Sequence, residues 1–163
     1  QLSIAKLSVI QPTLPTGKTV RQSSKDLIAA EQLTRGIVAP AKEAQIVFVE
    51  IPVGSQSASA MKGYGICIGV LGFLREQGIL FFELSPLEVK MAAVGKKTAT
   101  KTEMIEWAAS QHPDAPWPTQ TIKGEKRIIA GKAEHMADAV AAIEAGVQSQ
   151  WFQQVANFNL KVS

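Results

Sequence analysis

The sequence predicts an α/β layered domain with a parallel component. Two observations predict it. The runs Ile46–Ile51 (IVFVEI) and Ile79–Leu84 (ILFFEL) are short and nearly all apolar, the composition of strands buried on both faces. They alternate with segments whose apolar residues recur at helical spacing, which gives the order strand, helix, strand, helix, strand, helices and a long alanine-rich helix. With 163 residues, 46% of them apolar and 19% charged, the chain fits one domain over 1–163 built on one core, and a separate cofactor-binding half is excluded.

Leu2–Ile10 (LSIAKLSVI) is rich in aliphatic and β-branched residues and runs into Pro12, Pro15 and Gly17, a strand followed by a loop. Ser24 is a candidate N-cap, and Leu27, Ile28, Leu33 and Ile37 set an amphipathic helix from Lys25 to about Val38 that ends near Pro40. After the strand at 46–51 and a polar segment at Gly54–Ser59, Ala60–Glu76 reads as a helix despite Gly63, Gly65, Gly69 and Gly72. Glycine costs ~1 kcal/mol against alanine inside a helix, so these four predict close packing against a neighbour or a twin subunit. After the strand at 79–84, Pro86 opens a short helix through Ala93 that Gly95 ends, and Thr100 or Thr102 caps another through Ser110. His112–Gly131, with Pro113, Pro116, Pro118, Gly124 and several basic residues, reads as a loop. Ala133–Val147 is a helix carrying Met136, Val140 and Ile143, and Gln150–Ser163 is a terminal helix or arm.

The formal charge of +3 leans mildly towards polyanionic partners. A single cysteine, Cys67, excludes a disulfide framework within the chain and a cysteine-based zinc site; it reads as a packing residue in a reducing compartment. The apolar run Ile66–Leu74 is broken by Gly69 and Gly72 and stops at Arg75, short of the ~20 residues that span a bilayer, so a soluble protein without a membrane partner is expected. The sequence opens at Gln1 rather than at a methionine.

Three sets of residues could carry chemistry. Glu50 is a carboxylate inside an apolar strand; either it ends the strand and faces solvent beside Pro52, or its burial is offset by a cation or hydrogen bonds. His135 and Asp138, three apart, share one helix face; they form a solvated stripe or converge on a cation. Lys90, Lys96, Lys97 and Lys101, followed by Lys123, Lys126, Arg127 and Lys132, either solvate a surface or rim a phosphate site. No GxGxxG, P-loop or Gly-x-Ser-x-Gly elbow is present.

The order of these features resembles the RuvC-type Holliday-junction resolvases of the RNase H-like superfamily. There a strand glutamate precedes a small-residue helix, as Glu50 precedes Ala60, Met61, Gly65 and Gly69. The family's Val-Lys and Gly-x-x-x-Ala-x-Lys segments are matched by Val89, Lys90, Gly95, Ala99 and Lys101, and its closing pattern by His135, Asp138, Ala139, Val140 and Ala141. The likeness covers about Leu2–Val147.

The resemblance implies an RNase H-like mixed central sheet flanked by helices, and hydrolysis of four-way DNA junctions with two Mg²⁺ or Mn²⁺ ions per active site. It implies Glu50, Asp138 and His135 as metal ligands, with His135 ligating a metal or orienting the attacking water. Lys101 would lie on the scissile or a neighbouring phosphate, assisted by Lys90, with Lys96, Lys97, Lys126 and Arg127 as further DNA contacts. A homodimer through the Ala60–Glu76 helix and a cytoplasmic, nucleoid-associated location follow from the same likeness.

The family's first strand carries a metal-ligating aspartate that nothing before Glu50 matches, and Leu2–Ile10 looks like the family's second strand; the first is expected upstream of Gln1. Ile51, Pro52 and Val53 offer no aromatic wedge, and the long basic loop is closer to phage relatives. The alternatives are a broader branched-DNA or flap nuclease of the same fold, a non-catalytic DNA-binding protein, and a small-molecule α/β enzyme.

Overall fold

Every short apolar run of the sequence becomes a strand only where a second strand lies beside it. The computed structural model describes residues 2–17, 19–54 and 56–162, with side-chain surroundings to residue 158; Gln1 and Ser163, the outer ends of the two terminal segments, lie outside the described residues. The elements are α1 (Gln22–Glu43), β1 (Phe48–Glu50), α2 (Ala58–Glu76), β2 (Phe82–Leu84), α3 (Pro86–Val94), α4 (Lys101–Gln111), β3 (Thr119–Ile122), β4 (Glu125–Ile128), α5 (Ala130–Gln148) and α6 (Gln150–Val162).

The fold is α/β, but among the described residues the expected continuous central sheet is replaced by two two-stranded sheets, β1 with β2 and β3 with β4. Leu2–Ile10, expected as a strand, has no regular secondary structure. Its propensity is satisfied otherwise: Leu2–Ser8 lie along α5, where they and Met136, Val140 and Ile143 line an apolar groove of about 430 Å³. His112–Gly131 is likewise not a plain loop, since it contains the β3–β4 hairpin.

The chain divides into two units. One comprises Gln1–Val9, Phe48–Glu50 and Glu83–Ser163. Here α5 is the central element, packed against α3, α4 and β1, with α6 against its C-terminal part. Ala133, Ala137 and Ala141 are fully buried, and their small side chains let α5 approach a core containing Leu84, Val89 and Met104. Local signals fix α3 and α4. Ser85 and Thr100 cap them in reciprocal capping boxes with Glu88 and Glu103, and Gly95 closes α3 at φ 73°, a left-handed conformation that suits glycine.

The Thr100–Glu103 box has a measurable signature. Lys96 Nζ donates to Glu103 Oε1 at 2.8 Å, and the Thr100 N–H donates to Oε2 at 2.8 Å. The Lys96 hydrogen bond first, then those from Thr100, hold the Glu103 carboxyl well below its usual value of 4.5, at about 2. A depressed carboxylate pKa gives stability that is present above the unfolded value and lost as pH falls through the folded one. Glu103→Gln should therefore lower the melting temperature at neutral pH, and the gap to wild type should close between about 4.5 and about 2. A gap independent of pH in that window would contradict the assignment.

The second unit comprises Ile10–Val47 and Ile51–Phe82. In it α1 packs on α2, joined by Lys62 Nζ to Asp26 at 3.0 Å. The helix starts earlier and ends later than the sequence suggests. Ser24 lies in its first turn rather than capping it, and Pro40 is inside, its carbonyl accepting the Ala44 N–H at 3.1 Å. Proline forbids a helical donor at its own position, not acceptance by its carbonyl. The α2 glycines do not mark close packing within the chain: added Cβ atoms at Gly63, Gly65, Gly69 and Gly72 would meet nothing within 4 Å. Close approach falls instead at Gly36, over Ile10, and at Gly146, over Phe48. Cys67 is exposed on α2, not packed. No helix among the described residues is long and apolar enough to cross a membrane.

Candidate functional site

The first unit brings together an acid from β1, two acids and a histidine from α5, and lysines from α3 and α4. Glu50 is the last residue of β1 and is half-buried. Asp138 lies about two turns into α5 and is also half-buried, because β1 and α3 pack on the same helix. Burial raises the Glu50 carboxyl above its usual pKa, the charge of Asp138 raises it further, and Lys90 opposes both. Burial likewise raises Asp138; His135, Lys90 and Lys101 oppose the shift, and Glu134 adds to it. Both carboxylates are thus penalised in the charged form, and cations surround them.

Lys90 reaches this pair from α3 and is itself half-buried. Lys101, first residue of α4, donates through Nζ to Glu134 Oε1 at 2.9 Å. His135 is exposed at the rim, with Nε2 3.6 Å from the same Glu134 oxygen. The remaining basic residues lie elsewhere in the unit. Lys96 is held by Glu103, Lys97 is exposed in the turn between α3 and α4, and Lys126 and Arg127 stand on β4.

Sequence reasoning missed Glu134. Its side chain is 21% exposed, and it ties Lys101 to the start of α5 while adding negative charge beside Asp138. A signal was present, because Glu134 and Asp138 are four apart and share a helix face at least as closely as His135 and Asp138.

The donor set suits a hard divalent cation. Mg²⁺ keeps several waters and is usually held by one or two carboxylates plus substrate phosphates, not by a full protein cage. Glu50 and Asp138, half-buried and mutually repelling, match that pattern. The two-ion site implied by the family resemblance needs more: among the described residues no group of three or more His, Cys, Asp or Glu side chains converges on a metal position.

No protein-family model matches the chain, and no curated protein is detectably similar to it. Solved structures do match. Thermus thermophilus RuvC in complex with a Holliday junction substrate superposes with a TM-score of 0.51 at 13% identity, over 82% of this chain and 76% of that one. A structure of Thermus thermophilus RuvC gives a TM-score of 0.50 at 17% identity, over 78% and 75%. At such identities the likeness is one of fold alone: the α/β fold resembles that of RuvC, with two small two-stranded sheets among the described residues.

Proposed function

We infer that the chain is a structure-selective endonuclease that hydrolyses phosphodiester bonds in branched DNA, with the four-way junction as its substrate. One observation carries the reading: two half-buried carboxylates, Glu50 and Asp138, share a site with Lys90 and Lys101 on a fold resembling that of a protein solved with a Holliday junction. A hard divalent cation held by Glu50 and Asp138 would polarise the phosphoryl oxygen and lower the pKa of a bound water.

The chain's own residues do the rest. Lys90 and Lys101 neutralise the phosphate that enters beside the carboxylates. Glu134 holds the Lys101 ammonium in place until a phosphate oxygen competes for it. His135, exposed at the rim, orients a water arriving from solvent and can accept its proton. Cutting two strands symmetrically calls for a twofold dimer, and the glycines of α2 that face open space offer its surface.

A non-catalytic DNA-binding role is the second reading, favoured by the lack of a converging group of three metal ligands among the described residues. The same experiment separates the two. With Mg²⁺ or Mn²⁺, the protein should cut a four-way junction faster than a flap and leave a linear duplex intact. Equal cutting of junction and flap would shift the reading to a broad branched-DNA nuclease. Junction binding without cutting under either ion would establish the non-catalytic role, and absence of junction binding at low salt would overturn both.

A further inference from the structure

The hairpin β3–β4 belongs to neither the carboxylate site nor the core. Its strands pair only with each other, in the register Thr119↔Ile128, Gln120↔Arg127, Thr121↔Lys126 and Ile122↔Glu125, and seven of its eight strand residues are exposed. An isolated two-stranded hairpin is marginally stable in water, so this one depends on how it is rooted. At its base the Ile129 N–H donates to the Pro118 carbonyl at 2.8 Å. Next to it Trp117, packed against the core, donates through Nε1 to the His112 carbonyl at 2.9 Å. The arm is thus fixed to the start of α5, the helix that carries Asp138.

Charge concentrates on this arm. Residues 119–128 hold three basic side chains (Lys123, Lys126, Arg127) against one acid (Glu125), a surplus of two in a chain whose net charge is +3. The tip is Lys123-Gly124, with φ of 52° and 84°. Such a turn favours Asn or Gly at its first position, so a lysine here places a cation at the tip against local preference.

Register then divides the cations. Partners across an antiparallel pair share a face, and faces alternate along each strand. Lys126 shares its face with Thr119, Thr121 and Ile128, and neither it nor Lys123 has an ion-pair partner among the described residues. Arg127 lies on the opposite face, where Glu125 holds it at 2.7 Å.

We propose that this hairpin is a duplex-gripping arm, in which Lys123 and Lys126, flanked by the Thr119 and Thr121 hydroxyls, hold the phosphate backbone of one arm of the branched DNA, while Arg127 does not. The proposal rests on the branched-DNA reading above. Asp138 lies about 12 Å along α5 from the root, and each four-residue strand of the arm is roughly 14 Å long. Phosphate contacts of this kind position a duplex without reading its sequence.

The test uses the full chain and labelled four-way junction or linear duplex, with binding followed by anisotropy over a salt series without divalent ions. The double variant Lys123→Ala/Lys126→Ala should weaken binding to both DNAs about tenfold and reduce the log–log salt slope by about two. Arg127→Ala should stay within about twofold of wild type, and the single variant Lys126→Glu should weaken binding alone. If wild type binds DNA and the double variant binds equally well, or if Arg127→Ala is the damaging change, the arm does not grip as proposed. Tighter binding of double-stranded RNA with the same lysine dependence would also overturn it. Absence of DNA binding by wild type removes the branched-DNA reading itself, a result distinct from the others.

Discussion

Glu50→Gln is expected to reduce metal-dependent junction cleavage at least about 10³-fold while leaving junction affinity within about twofold. The magnitude follows from what the carboxylates are asked to supply. A divalent cation contributes several kcal/mol of transition-state stabilisation, and each 1.36 kcal/mol is a factor of ten in rate. Asp138→Asn should be equally severe, and the double variant little worse than either single, because on the proposed reading the two carboxylates would act as one unit on one cation. Both substitutions are nearly isosteric. Both also remove a charge that the folded state penalises, since burial raises each carboxyl. Without metal, the melting temperature of either variant should therefore not fall below that of wild type. That measurement separates lost chemistry from lost structure: an inactive variant that melts as high as wild type has lost the site. Cleavage retained within tenfold in Glu50→Gln would remove Glu50 from the chemistry.

The same half-burial explains why Glu50 stands out in the sequence as a candidate. A carboxylate inside IVFVEI is costly unless something offsets it, and the structure places Asp138, Lys90 and packed elements around it. Glu134 escaped notice because a glutamate near a helix start is ordinary; only the arrival of Lys101 from α4 gives it a role. The helices α3 and α4 were legible because their starts are encoded locally, as Ser85-x-x-Glu88 and Thr100-x-x-Glu103. Strands are different. Leu2–Ile10 has strand composition, yet a ladder needs a partner, and Leu2–Ser8 instead line a groove along α5. The hairpin was hidden for the opposite reason: the prolines before it and its own charges suggest a loop, and the signal that mattered was the two-residue Lys123-Gly124 turn following the β-branched Thr119, Thr121 and Ile122.

Glycine in α2 and α5 shows the same limit from the packing side and leads to the second large effect. The sequence cannot distinguish a glycine that admits a neighbour from one that faces open space, but the structure assigns them opposite signs. At Gly146 an added Cβ would lie 2.1 Å from Cδ1 and 2.4 Å from Cε1 of Phe48, whose ring is backed by Phe152 in an edge-on contact at 5.5 Å. Gly146→Ala gains up to ~1 kcal/mol of helix propensity but must displace a ring with little room to move, and overpacking costs about 1–3 kcal/mol. A net loss in stability is expected, at about 2–4 °C in melting temperature per kcal/mol for a chain of this size. At Gly69, with nothing within 4 Å, Gly69→Ala should instead raise the melting temperature. The consequence reaches the chemistry, because Phe48 and Glu50 are two apart on β1 and so share one side of the strand. A ring pushed off α5 tilts the strand that positions Glu50, and cleavage should fall together with stability. Trimming the ring in Gly146→Ala/Phe48→Leu should recover part of both; if the double variant is no better than Gly146→Ala in either respect, Phe48 is not what Gly146 accommodates.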